Sequence, residues 1–446
     1  MKWWFQIPLW ARVMGALVLG VAVGEGLKHG LVALAPMMGA DPAFADETAR
    51  GWIKAYLGPV GDVFVRLLRM LVVPLVLTTL VAGIVALGDP RKLGSIGVKT
   101  MALFLITTFF ANLIGIGFGL LFQPGVGANL GASVSATAPT IATADSALKE
   151  ILLSIVPSNP VAALAEGHVL SIIFFATLLG IGILMAGDAG KPLGDVFTSA
   201  SEAVLKVTQI VMEFAPLGVF ALVSFTVATQ GLESLKSIAV LVACVYAGLL
   251  THMLLVYGGL VRIFANLPVL RFFRGIVDAQ AVAFSTASSS ATLPVTLSRV
   301  SDKLGVNRSV AGSVLPLGAT VNMDGTALYL GILAMFTAQA FGYTLGWENY
   351  LIIALTAAVV SIGAAGIPSS SLFLLAIVLQ TFGVTPEQIA LIVGFILPVD
   401  RVMDMARTTA NITGDAAVAV TVARWEKEID LDVYKGTAKV EDPEAA

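Results

Sequence analysis

"FILPVDRVMDMARTTANITGDAAVAV", residues 395–420, places Asp400, Arg401, Asp404, Arg407 and Asp415 together in a chain that is elsewhere poor in charge. Of 446 residues, 57% are hydrophobic and 12% charged, about half the charged fraction of an ordinary soluble domain. Mean hydropathy is +0.91. This is the composition of a membrane protein. Uncharged runs at 70–88, 100–144, 167–187, 215–232, 237–261 and 349–386 meet or exceed the length of about 20 residues that a spanning helix needs. Within such a chain a charge at the centre of an isolated spanning helix costs about 3 kcal/mol, so five of them cannot face lipid. At about 100° per residue, Asp400, Asp404, Arg407, Asn411 and Asp415 fall within an arc of roughly 80°. Arg401 lies beyond its edge. One polar stripe on an apolar helix is either a set of structural ion pairs or a mid-membrane surface for charged solutes. Fixed charges of both signs on one face suit a zwitterionic solute better than a selective stream of ions, which argues against a channel.

Two neighbouring segments support the binding surface. "FSTASSSATLP" (284–294) and "SIGAAGIPSSS" (361–371) are rich in Ser, small residues and Pro inside hydrophobic regions, where they break helices. Each is followed about 30 residues later by an apolar helix studded with polar residues, first "GATVNMDGTAL" (318–328) and then the opening stretch. A duplicated pair of interrupted hydrophobic segments points to a secondary transporter, in which broken-helix N-termini face an anionic substrate and freed carbonyls hold a cation.

Other function classes fit less well. A net charge of -3 offers no basic patch for nucleic acid. The single Cys244 excludes an internal disulfide framework. His29, His168 and His252 read as ordinary loop or packing residues. The Ser runs lack a G-x-S-x-G motif and a nearby His, against an intramembrane hydrolase. "AFA" at 43–45 resembles a signal-peptidase site, but it lies too far beyond the apolar run, so a retained first helix is expected. Lys2 and Arg12 before that helix, Arg91, Lys92 and Lys99, and Arg424 and Lys427 place both termini in the cytoplasm by the positive-inside rule. Residues 427–446, polar and mostly acidic, read as a disordered tail.

"SSSATLP" (288–294), "NMDGT" (322–326), "SIGAAGIP" (361–368) and "DMARTTANITGD" (404–415) resemble the dicarboxylate/amino acid:cation symporter family. Weaker likeness runs from "GDVFVRLLRMLVVPLVLTTL" (61–80) to "APLGVF" (215–220). The resemblance implies an all-α polytopic protein of a bacterial inner membrane, with eight transmembrane helices, two re-entrant helical hairpins and inverted repeats. It also implies a homotrimer working as an elevator. Scaffold helices 1 and 2 would occupy 1–95, helix 3 of the transport domain 96–123, an external loop with scaffold helices 4 and 5 124–232, the transport core 233–426 and a cytoplasmic tail 427–446. Hairpin tips would lie near 288–290 and 364–371.

For the substrate, Asp404 is suited to an α-ammonium, and Arg407, three residues on along the same face, offers a planar fork to a side-chain carboxylate. Together they specify an acidic amino acid, aspartate or glutamate. By resemblance, Ser289 and the hairpin-tip N–H groups with Asn411 would take the α-carboxylate and Thr326 would steady the distal one, while Ser288, Ser290, Ile367 and Thr408 complete the substrate set. The coupling ion needs hard oxygen ligands. Asn322, Asp324 and Asp415 with Thr107, Thr108 and Asn411, and main chain at Gly318 and Ser361, match the family's sodium positions, with protons as the alternative ion. Leu330 stands where mammalian relatives carry a glutamate linked to proton and potassium coupling, and Ala287 and Met405 stand where many relatives carry a modulatory arginine. The Asp400-Arg401 pair resembles the C4-dicarboxylate branch, which is the second reading.

Overall fold

The computed structural model describes residues 7, 9–34, 51, 55–86, 90–128, 156–230, 233–362 and 370–438. The described residues are helical throughout, apart from turns and one isolated antiparallel bridge between Val306 and Ile429. The order is α1 (Leu9–Leu34), α2 (Gly58–Ala86), α3 (Pro90–Phe122), α4 (Pro160–Glu166), α5 (Val169–Met185), α6 (Lys191–Met212), α7 (Ala215–Gln230) and α8 (Glu233–His252). The second half continues with α9 (Val269–Thr286), α10 (Ser289–Asp302), α11 (Arg308–Val321), α12 (Asp324–Phe341), α13 (Trp347–Ile362), α14 (Ser370–Gln380), α15 (Pro386–Glu426) and α16 (Leu431–Lys435). Among the described residues, three segments are long and apolar enough to cross a membrane, Gly94–Phe122, Lys236–Phe264 and Arg308–Phe341, and the bent pair α6–α7 makes a fourth. Leu105, Ile106, Phe109, Phe110 and Leu113 on α3 are all exposed. In water this stripe would drive aggregation; against hydrocarbon it is matched to its solvent.

The break expected at the first Ser-rich segment is present, and a second break lies within the polar-studded segment 318–328. The chain leaves α9 at Ala287 in the left-handed region (φ 50°) and starts α10 with Ser288 as N-cap, its hydroxyl accepting from the Ala291 N–H. Between α11 and α12, Asn322 and Met323 leave helical geometry. That frees backbone groups in the middle of a hydrophobic segment, which is tolerated only where protein or a cavity meets them. Of the second Ser-rich segment, residues 363–369, Ile367 among them, lie outside the described residues. The opening stretch sits inside α15, a 41-residue helix begun by a Thr385–Gln388 capping box with Pro386 in its first turn. At about 1.5 Å per residue α15 is longer than the bilayer core is thick. Around it pack α8, α9, α10, α11, α12 and α14.

Two expectations are corrected. Arg12 does not flank the first helix; it lies in the first turn of α1, buried, and makes a two-pronged pair with Glu213 (2.5 and 3.1 Å). A fork-on-carboxylate pair is how a guanidinium is accommodated there. The tail is not disordered over 427–438. α15 ends at Lys427 in the left-handed region, α16 follows, and Val433 and Tyr434 are buried. The Tyr434 hydroxyl donates to the Pro268 carbonyl (3.1 Å), its own carbonyl accepts from Arg271 Nε (3.0 Å), and burial lifts the phenol above its usual range. Two apolar side chains in a polar segment were enough to dock it. Tyr434→Ala, an aromatic truncation of the kind that costs about 3–5 kcal/mol, lowers the thermal midpoint of the purified protein by several degrees, and Tyr434→Phe keeps most of it. An unchanged midpoint in a melting scan of the alanine variant would contradict this docking.

Candidate functional site

The polar stripe of α15 meets the second interrupted segment and α12. Arg407 is 1% exposed and the centre of the contact. Its Nη2 donates to Asp404 Oδ1 (2.8 Å) and Asp400 Oδ1 (3.0 Å), and Nη1 donates to the Ser371 hydroxyl. The guanidinium carbon lies 3.9 Å from the centre of the Tyr329 ring, a cation–π contact that strengthens when desolvated. Tyr329 in turn donates its hydroxyl to Asp400 Oδ1 (2.8 Å). Arg407 Nε and Asp400 Oδ2 are buried with no partner. One cation therefore faces two carboxylates, and a donor and an acceptor are left over. Such a set is poised to exchange partners with a charged guest rather than to act as a closed structural pair.

One turn on, Asn411 joins this cluster to a second. Its Oδ1 accepts from the Gly325 N–H (2.7 Å) and its Nδ2 lies 3.2 Å from Met323 Sδ. Gly325 must be glycine, since a Cβ there would run into the Arg407 backbone of α15. In the second cluster Asn322 Nδ2 donates to Asp415 Oδ1 (2.9 Å) and, more weakly, to the Asn411 carbonyl (3.4 Å), leaving Asn322 Oδ1 buried without a partner. The Asp415 carboxylate lies against Gly318, where any Cβ would collide with it. Asp324 is fully buried. Its Oδ1 accepts from Thr108 (2.5 Å) and its Oδ2 from Tyr257 (2.8 Å), with His252 Nε2 at 3.3 Å. The Asp324 and Asp415 carboxylates, the Asn322 amide and the Thr108 hydroxyl, gathered at the break of α11 and α12, are oxygen donors of the hard kind that alkali and alkaline-earth cations take.

The expected residues are mostly brought together. Asp404, Arg407 and Asn411 form the first cluster, and Thr326 and Thr408 are buried on the same two helices. Asn322, Asp324, Asp415, Thr108 and Gly318 form the second. Ser289 is buried at the start of α10, while Ser288 is partly buried and Ser290 exposed. Thr107 is buried, but its hydroxyl donates to the Phe104 carbonyl of its own helix (3.1 Å). Ser361 likewise donates to Ala358 (2.8 Å). Ile367 lies outside the described residues. Four residues were missed: Tyr329, Ser371, Tyr257 and His252. His252 sits against Asp324 where the helix after α8 widens into two π turns, Met253–Tyr257 and Leu260–Phe264. Its rarity as an intramembrane titratable group was the one available signal. An apolar cavity of about 510 Å³ lies elsewhere, lined by Leu17, Val223, Val227, Tyr246, Phe395 and Val399 among others. No charged side chain lines it, so it cannot orient a charged solute.

The pattern of the sodium:dicarboxylate symporter family matches residues 9–425. The chain belongs to the sodium:dicarboxylate symporter family. Over 428 residues it is 36% identical to the proton/glutamate-aspartate symporter of Escherichia coli (strain K12), covering 94% of this chain and 93% of the relative. It is 37% identical over 379 residues to a proton/sodium-glutamate symport protein of Bacillus subtilis (strain 168), covering 84% and 87%. It is 35% identical over 382 residues to a C4-dicarboxylate transport protein of Rhodospirillum rubrum, covering 84% of each. As a member of the sodium:dicarboxylate symporter family it is a membrane transporter and not an enzyme.

Proposed function

We propose that this symporter takes up acidic amino acids, L-aspartate or L-glutamate, together with sodium ions. The observation that carries the reading is the buried Asp404–Arg407–Asp400 set, in which one guanidinium serves two carboxylates. An incoming α-ammonium takes Asp404. Arg407 is thereby released from that partner and turns its fork, Nε included, to the distal carboxylate of the substrate. Asp400, with the Tyr329 hydroxyl and ring, keeps the guanidinium in place through the exchange. The α-carboxylate goes to the tip of the first hairpin at Ser289 and to Asn411, with Thr326 near the distal end. A substrate with ammonium and two carboxylates satisfies every group; a neutral amino acid leaves Arg407 short of a partner, a penalty that underlies discrimination.

Sodium is the co-substrate. Asn322, Asp324, Asp415, Thr108 and main-chain carbonyls of the α11–α12 break supply its oxygens. Asn411 touches both clusters, so cation binding and substrate binding stabilise the same backbone. Differential binding to one arrangement is what coupling requires. Around this site we place eight spans and two re-entrant hairpins, three protomers, an elevator movement of residues 233–426 with helix 3, and both termini in the cytoplasm.

The test is uptake of radiolabelled L-aspartate into proteoliposomes under an inward sodium gradient. Wild-type protein gives saturable uptake inhibited by L-glutamate, and Asp404→Asn lowers it at least tenfold. A variant that still transports aspartate with wild-type affinity would overturn the assignment of the ammonium to Asp404.

A further inference from the structure

Arg401 is the charged residue of the opening stretch that neither cluster uses. Its Nη2 donates to the Thr286 carbonyl (3.1 Å), at the last residue of α9. The following residues, Ala287 in the left-handed region and N-cap Ser288, lead into the Ser run, and the Thr286 hydroxyl accepts from the Ser288 N–H (3.3 Å). The side chain thus lies against the break of the first hairpin. Its Nε and Nη1 are both buried and unpartnered, and among the described residues no carboxylate lies within ion-pairing distance of it. Asp404 is three residues further along the same helix, about 4.5 Å along its axis. Arg407, the other cation of this region, is already held by two carboxylates. Arg401 is therefore the guanidinium with charge and donors to spare, and unsatisfied buried donors of this kind favour an anionic group that can reach them.

We propose that Arg401 is a second anion handle of the site, and that it sets how well a substrate without an ammonium group is held. The inference rests on the acidic amino acid reading above. A substrate with an ammonium group draws Asp404 away and gains Arg407. A C4-dicarboxylate has nothing to offer Asp404, so Asp404 and Asp400 stay on Arg407, and the guest's charge must be met from elsewhere. Arg401, at the edge of the hairpin tip that takes a carboxylate, meets it with a planar fork that a lysine only partly reproduces. The alternative is that Arg401 merely holds the Thr286 carbonyl and so positions the hairpin for every substrate alike.

The experiment measures L-aspartate uptake and its inhibition by succinate in proteoliposomes containing wild-type, Arg401→Gln and Arg401→Lys protein. The handle predicts that succinate inhibits the wild type, that Arg401→Gln raises its half-inhibiting concentration at least tenfold with aspartate KM changed less than threefold, and that Arg401→Lys falls between. Equal weakening of both ligands, or succinate inhibition unchanged in Arg401→Gln, would overturn it, as would a wild type that transports aspartate and ignores succinate. Where Arg401→Gln does not fold, Arg401→Lys decides by the same comparison. A wild type that does not transport aspartate at all would instead refute the proposed function.

Discussion

Arg407→Cys abolishes transport of acidic amino acids and admits small neutral ones. The variant removes the guanidinium that pairs with Asp404 and Asp400, the fork that would hold the substrate's distal carboxylate, and the ring contact with Tyr329. Truncating one member of a buried charged set costs about 3–5 kcal/mol, which is at least about a hundredfold in affinity. The space left is lined by Tyr329, Ser371 and a thiol, and Asp404 remains able to take an ammonium, so a short uncharged side chain is tolerated. Uptake of L-aspartate and L-serine by the same proteoliposomes measures both halves. Aspartate uptake at the wild-type level would remove Arg407 from the site.

Asp415→Asn should act on the cation and spare the substrate. Asp415 is 2% exposed, packs on Gly318 at the break of α11 and α12, and accepts a hydrogen bond from Asn322. Replacing it exchanges a carboxylate for an amide in the cation cluster while keeping shape. The concentration of sodium giving half-maximal aspartate uptake rises at least tenfold, whereas KM for aspartate at saturating sodium changes less than threefold. The opposite split, a substrate defect that saturating sodium does not repair, would contradict the role given to Asp415. Asn411 is the reason the two effects are separable but not independent, because it touches Gly325 beside Arg407 and Asn322 beside Asp415 through different atoms.

What the sequence made legible follows from range. The stripe of Asp400, Asp404, Arg407, Asn411 and Asp415 is a property of one helix, so periodicity alone puts those residues on one face. The break at the first Ser-rich segment, capped by Ser288, is local as well, written in Ser and small residues. The partners were hidden because they come from far along the chain: Tyr329 reaches Asp400 across 71 residues and Tyr257 reaches Asp324 across 67. No spacing rule connects such positions. Ser371 was inside a segment recognised as important but had no charge to single it out. Arg401 was visible as a residue outside the arc and had no partner on its own helix; the Thr286 carbonyl that it contacts belongs to an element 115 residues earlier. Docking of residues 427–438 is hard to see in the sequence because their overall polarity outweighs two apolar residues, Val433 and Tyr434, that are buried only in the folded protein.

The most direct test of the central claim, that a buried acidic amino acid site is coupled to an oxygen-lined sodium site, is accumulation of L-aspartate in proteoliposomes under two separate driving forces. An inward sodium gradient at equal pH should concentrate aspartate above its external level, and an inward proton gradient without sodium should not. Accumulation driven by protons alone would contradict the account, and would show that the cluster around Asn322, Asp324 and Asp415 is not the sodium site that couples transport.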